Sequence, residues 1–460
     1  MTAEPVRSND TIPVRFAAPV FLMWLLFQQE RVEFLGFDAA REVLAAASEL
    51  APDAGLPGSP AAWEAWIRER DREVRSRVDR GVEDSISNLV LFGTSFTRLP
   101  RFESAEDAAG ADGDLTDAAQ ARVRALASAL SVPADSERLR IFRGFLARRR
   151  VAQASLESLL AANLRRFILE AKSYAERLRA AENRGDPEAL LAARGTLYAS
   201  RGLSVDTSLL SNYAVEDTLR ALVAKSVLRA GQIRRIAVIG PGLDFADKRE
   251  GHDFYPLQSL QVFAVMEGVL RLALAQPEEL TAATFDLNPA VNAHIARLGE
   301  QARAGRPYVL QLPRDTRADW RHDALAYWER FGDTIGSALR PLAVPPGLEG
   351  LALRAVAIRP EIAARVKPFD LDIVAQTLAV RPGQGFDLIV GTNVFVYYNR
   401  LEQALALASI ARMANRGAIL LANSVLPARH PQALEYLGRR SVAYSASAAY
   451  GDDVVVYRRR

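Results

Sequence analysis

Short β-branched runs alternate with longer amphipathic stretches from about residue 235 to the end of the chain. Apolar runs of four to six residues bounded by Gly, Asn or Asp read as buried strands, and apolar residues recurring every three or four positions read as helices. On this basis strands are expected at 235–239, 282–285, 365–369, 386–391 and 418–423, with a terminal pair at 442–447 and 454–458. Helices are expected between them at 257–275, 290–304, 401–415 and 430–439. Strands alternating with helices imply a parallel sheet covered on both faces. The residues Tyr450, Gly451, Asp452 and Asp453 between the last two strands read as a hairpin turn, which would close the sheet with an antiparallel edge.

The first half has a different texture. Ala, Leu, Arg and Glu dominate residues 1–225 and favour helix. Helices are expected at 37–50, 60–88, 118–130, 136–150 and 152–183. Ser59 before Pro60 is a start signal, and the last helix carries Leu156, Leu159, Leu160, Leu164, Phe167 and Ile168 on one face. The acidic, glycine-bearing stretch 103–117 reads as an exposed loop. Two regions result: a mainly helical one, 1–225, and an α/β one, 226–460, with 203–210 placed where it could close over a site.

Composition narrows the chemistry. Of the 460 residues 49% are hydrophobic and 25% charged, as in globular proteins. The chain has no cysteine, which removes disulfides, thiolate nucleophiles and cysteine-bound zinc, and its four histidines have no metal-ligand spacing. A net charge of +3 with basic clusters only at 148–150 and 458–460 marks no nucleic-acid stripe. The apolar run 16–27 is short for a membrane span and fits a signal peptide poorly at its flanks, so a buried element is expected there and a cytoplasmic location for the protein, with membrane association or export through this run as the alternative. Oligomeric state is left open.

Four strand ends carry candidate chemistry. The strand at 235–239 runs into Gly240, Pro241 and Gly242, and glycines let backbone approach a ligand. The next strand ends at Asp286 and Leu287, where an acid can accept from ribose hydroxyls; Asn288 before Pro289 suits a helix cap. Asp370 or Asp372 would follow the third strand, where a carboxylate can accept from a ligand or serve as a surface turn acid. The fourth opens into Asn393, Tyr397 and Tyr398, whose aromatic rings could shape a pocket or belong to the core.

In this order the motifs resemble class I (Rossmann-like) S-adenosylmethionine-dependent methyltransferases, and remotely the chemotaxis-receptor glutamate methyltransferases (CheR-type). The resemblance is carried by FDLN at 285–288, ARAGRPY at 302–308, YWERFG at 327–332, VKPFDLD at 366–372, TNVFVYY at 392–398 and RGAILLANS at 416–424. It implies a Rossmann-like sheet preceded by a helical region, and S-adenosylmethionine as cofactor held by Gly240, Pro241, Gly242, Asp286, Leu287, Asp370, Asp372 and Asn393. It also implies Asn393 and Tyr397 at the reacting end, and methyl transfer to an acceptor left open between a protein carboxylate and a small molecule. Val238 stands where such enzymes carry an acid, Asp244 replaces a glycine, and Thr392 stands in place of an arginine. Two other readings stay open: a non-catalytic nucleoside-binding or regulatory protein on this fold, and an NAD-dependent oxidoreductase, for which the later glycine of the dinucleotide motif is missing.

Overall fold

The computed structural model describes residues 30–50, 55–110, 114–133, 136–184, 209–245, 253–346, 348, 350–427, 433–447 and 451–460. The run 16–27 and most of 203–210 lie outside them. Seven strands form the central sheet: β2 (Arg235–Ile239), β3 (Thr281–Asp286), β7 (Val366–Asp370), β9 (Phe386–Gly391), β10 (Ala414–Ala422), β11 (Leu434–Ala443) and β12 (Gly451–Arg459). Their spatial order is β11-β12-β10-β9-β2-β3-β7. β12 runs antiparallel to both its neighbours and the other pairs are parallel. The order therefore reverses between β2 and β9, and open α/β sheets bind ligands at the carboxyl ends beside such a switch point.

Alternation along β2 shows how the sheet is sandwiched. Ile236 and Val238 enter one buried cluster and Ala237 and Ile239 the other, as side chains of successive strand residues point to opposite faces. On the first face lie α6 (Leu209–Ala224), α7 (Gln261–Arg271) and α8 (Pro289–Arg303), and α10 (Arg400–Met413) covers the second. Asn399 caps α10 with a reciprocal capping box through Glu402. Replacing Asn399 by Ala should cost about 1 kcal/mol of stability, read as a lowered midpoint in urea.

Helices α1 (Phe37–Ala45), α2 (Pro60–Phe92), α3 (Asp117–Ser131), α4 (Glu137–Arg148) and α5 (Leu156–Glu182) make up the first region. They share the sheet's two cores. The 33 residues of α2 span roughly 50 Å at 1.5 Å per residue. Its first half (Trp63, Ile67, Val74, Val78) packs in the second cluster, and its last turns (Val82, Ile86, Leu89) in the first. A short ribbon of β1 (Arg31–Phe34) and β8 (Gln376–Ala379) ties the same region to the chain after β7.

Several expectations need correction. The stretch 430–439 is strand from Leu434 onward, because pairing with β12 outweighs the helix-forming composition. Gly451, Asp452 and Asp453 lie within β12 rather than in a turn. The start of the expected helix 257–275 is irregular, and α7 begins only at Gln261. Within 103–117, Ala108 and Leu115 are buried and Ala109 bridges Leu115, so the described part of this loop is pinned to the helices. The sequence also concealed an insertion between β3 and β7. There β4 (Tyr308–Asp315), β6 (Leu351–Ile358) and β5 (Gly336–Leu339) form an antiparallel sheet beside α9 (His322–Arg330). Among the described residues no helix is long and apolar enough to cross a membrane.

Candidate functional site

The turn after β2 depends on left-handed backbone at Gly240 (φ 62°) and Gly242 (φ 63°), where a Cβ is penalised. The amide of Gly240 donates to the Phe285 carbonyl at 2.8 Å, tying the turn to β3. A Cβ on Gly240 would stand 2.6 Å from Val394 Cγ2, so the segment after β9 presses on the turn from across the switch point. Gly240→Ala should therefore cost about 2–3 kcal/mol, combining backbone strain with overpacking. Adding Val394→Ala should recover the packing part alone, which a double-mutant cycle of denaturation midpoints would show.

Asp286 ends β3 with its carboxylate turned to this bend. Burial pushes its carboxyl up to about 7, and the neighbouring Asp370 charge adds to the rise. The backbone amides of Asn288, Gly242 and Leu287 hold it down, the first of them at 2.8 Å. Asn288 caps α8 through Ala290, with Pro289 at the first helical position, so the cap expected from the sequence is formed.

Asp370 lies directly beside Asp286 in the parallel register of β3 and β7. Its side chain is 62% exposed and bonds Arg75 of α2 at 2.6 Å. Asp372 is different. It is fully enclosed, accepts from the Val374 amide at 2.9 Å, and is pushed up to about 8 by burial. Of the two acids, Asp370 alone stands at an open strand end.

Beyond β9, Thr392 is buried and accepts from Gln261 Nε2 at the start of α7. Asn393 is exposed, holds a left-handed φ of 60°, and takes the side-chain amide of Asn423 from the end of β10. Asparagine tolerates that conformation better than most residues. Tyr397 is half-buried on a single 3₁₀ turn, and its carbonyl accepts from Arg77 of α2 at 3.0 Å. Tyr398 is core, with its hydroxyl pushed well up by burial. The structure thus gathers the glycine turn, Asp286 and Asp370 along adjacent strand ends and sets Asn393 across the switch point.

Sequence reading missed the residues that brace this rim. Asp244 accepts from the Tyr255 hydroxyl at 2.7 Å and from Gln258 at 3.1 Å, and Gln258 in turn bonds the backbone of Gln311 in β4. Arg138 of α4, only 2% exposed, donates to the carbonyls of Asp244, Phe245 and Tyr255. Arg75 and Arg77 reach in from α2. Nothing local to these arginines announces partners a hundred or more residues away. Buried oxygens of Asn292, Asp372, Asn423 and Ser424, all on segments that follow sheet strands, have no hydrogen-bond partner among the described residues. Unpaired buried acceptors are costly, and a polar ligand is one way to satisfy them.

No family model and no curated protein matches the sequence. Solved structures similar to part of the chain include the N-methyltransferase NodS from Bradyrhizobium japonicum WM9, at 14% identity, TM-score 0.26, and 54% of this chain against 95% of that one. Another is magnesium protoporphyrin IX methyltransferase from Synechocystis PCC 6803 with bound SAM, at 9% identity, TM-score 0.26, and coverages of 55% and 81%. A third is the glycopeptide N-methyltransferase MtfA complexed with S-adenosyl-L-methionine, at 8% identity, TM-score 0.25, and coverages of 53% and 94%. Likenesses this distant add no weight to the sheet order and strand-end geometry described above.

Proposed function

We propose that the protein is a class I S-adenosylmethionine-dependent methyltransferase. One observation carries this: beside the switch point of the sheet, at the ends of β2 and β3, the Gly242 amide and the Asp286 carboxylate meet. A glycine bend and an acid on adjacent strands make a nucleoside cradle. Counted in chain order the seven strands run 3-2-1-4-5-7-6 with the seventh reversed, which is the parallel sheet with an antiparallel edge that the motif resemblance implies.

The residues present fit S-adenosylmethionine. Gly240, Pro241 and Gly242 offer a side-chain-free approach, Asp286 an acceptor for ribose hydroxyls, Leu287 an apolar edge and Asp370 an acceptor for the adenine amino group. The bound cofactor supplies an already activated methyl group. The chain's own work is then to position the acceptor and exclude water. Asn393 and Tyr397 stand where the acceptor enters, and the buried Gln261–Thr392 bond fixes the backbone leading to them. A protein carboxylate is the acceptor class to try first, following the likeness of TNVFVYY to the receptor glutamate methyltransferases.

Calorimetric titration of the full chain with S-adenosylmethionine, S-adenosylhomocysteine and NAD tests the proposal. Micromolar binding of the first two and none of NAD is expected. Binding of NAD alone, or of no nucleotide, would overturn it. The reading of a binding protein without turnover draws on Val238, which is buried where these enzymes carry an acid. Release of S-adenosylhomocysteine in the presence of acceptor separates the two.

A further inference from the structure

Helix α2 passes the carboxyl ends of β7 and β9 and presents two arginines to them. Arg77 takes the Tyr397 carbonyl and the Glu402 carboxylate, both at 3.0 Å. Arg75 makes three bonds: to Asp71 of its own helix at 2.8 Å, to Asp370 at 2.6 Å and to Gln376 at 3.1 Å. The same Gln376 oxygen accepts from the Asp372 amide at 2.9 Å. Arg75 therefore ties the end of β7 to the turn beyond it. A planar guanidinium with several fixed donors suits this task, which a single ammonium cannot reproduce.

We propose that Arg75, carried by the helical region, is a positioning residue of the nucleoside site: it anchors the Asp370 carboxylate beside Asp286. Cofactor affinity thereby becomes dependent on a helix outside the α/β region. The inference rests on the methyltransferase reading above.

The electrostatics follow from the arrangement. Asp286 feels the Asp370 charge from β7 and lies near the Tyr398 hydroxyl beyond β9. Asp372 and Glu402 also crowd Tyr398, with Arg77 opposing them. Arg75 is the cation bonded to Asp370. Without it the Asp370 charge is uncompensated, and ionising Asp286 becomes harder.

The test is calorimetry with S-adenosylhomocysteine on the full chain, repeated on both sides of neutrality. Arg75→Gln should weaken binding about tenfold, the scale of one charge-assisted hydrogen bond, and move the pH midpoint of affinity upward. Arg75→Lys should restore part of the affinity. Asp370→Asn approaches the pair from the other side and serves if Arg75→Gln does not fold: it should weaken binding but move the midpoint downward. A merely structural arginine would not give opposite shifts. If wild type binds and these variants leave its affinity and midpoint unchanged, the role of Arg75 is overturned while the methyltransferase reading stands. Failure of wild type to bind overturns both.

Discussion

Asp286→Ala should reduce affinity for S-adenosylhomocysteine about a hundredfold, the loss of one or two hydrogen bonds to a charged acceptor, with a normal far-ultraviolet spectrum. The wild-type protein should show a matching pH signature. With its carboxyl raised to about 7 by burial, Asp286 must lose a proton before both its oxygens can accept from ribose hydroxyls as the proposed site requires. Affinity should therefore climb with pH through neutrality and level off above it. Stability of the unliganded protein should run the other way. An acid whose folded pKa exceeds its unfolded value, about 4, favours the folded state fully below that value and loses this contribution as pH rises past 7. Asp286→Asn should flatten both profiles. A wild-type affinity independent of pH, or Asp286→Ala binding as wild type does, would remove Asp286 from the site.

The second large effect is expected at Arg138. Its guanidinium satisfies three carbonyls of the segment after the glycine turn from a buried position. Arg138→Met keeps much of the volume but strands those acceptors. Each buried unsatisfied group costs about 1–3 kcal/mol, so a loss of about 3–5 kcal/mol is expected after partial relaxation, read in the denaturation midpoint. Ligand affinity should fall too, because Asp244 and Gln258 lose their brace. Since α4 packs with α3 and α5 in the same core as Val238, loss of stability should appear as one transition. A variant that melts like wild type would show that solvent replaces the arginine.

The legible part of the molecule was the part with local signals. Strands β2, β3 and β9 are apolar runs ended by Gly or Asp, and Ser59 and Asn288, read as a helix start and a cap, each accept an amide of the helix that follows. Asp286 could be placed because its position follows from strand and helix lengths. β11 was misread because an edge strand rich in Leu, Tyr and Arg has no periodicity apart from its partner. The β4-β6-β5 sheet was missed because its order is set by pairing between segments some forty residues apart. Asp370 and Asp372 could not be told apart from sequence. Two positions decide whether a carboxylate meets Arg75 at the open edge or the Val374 amide inside.

The reach of α2 also bears on how the chain is made. Its arginines find their partners 295 and 325 residues downstream, so the helix leaves the ribosome long before β7 or α10 exists. Until then its apolar stripe lacks the sheet it covers. Contacts this distant in sequence form late and slow the search, and exposed apolar surface invites association. Synthesis arrested before the last third of the chain would thus release a sticky helical fragment, and maturation waits on the final strands.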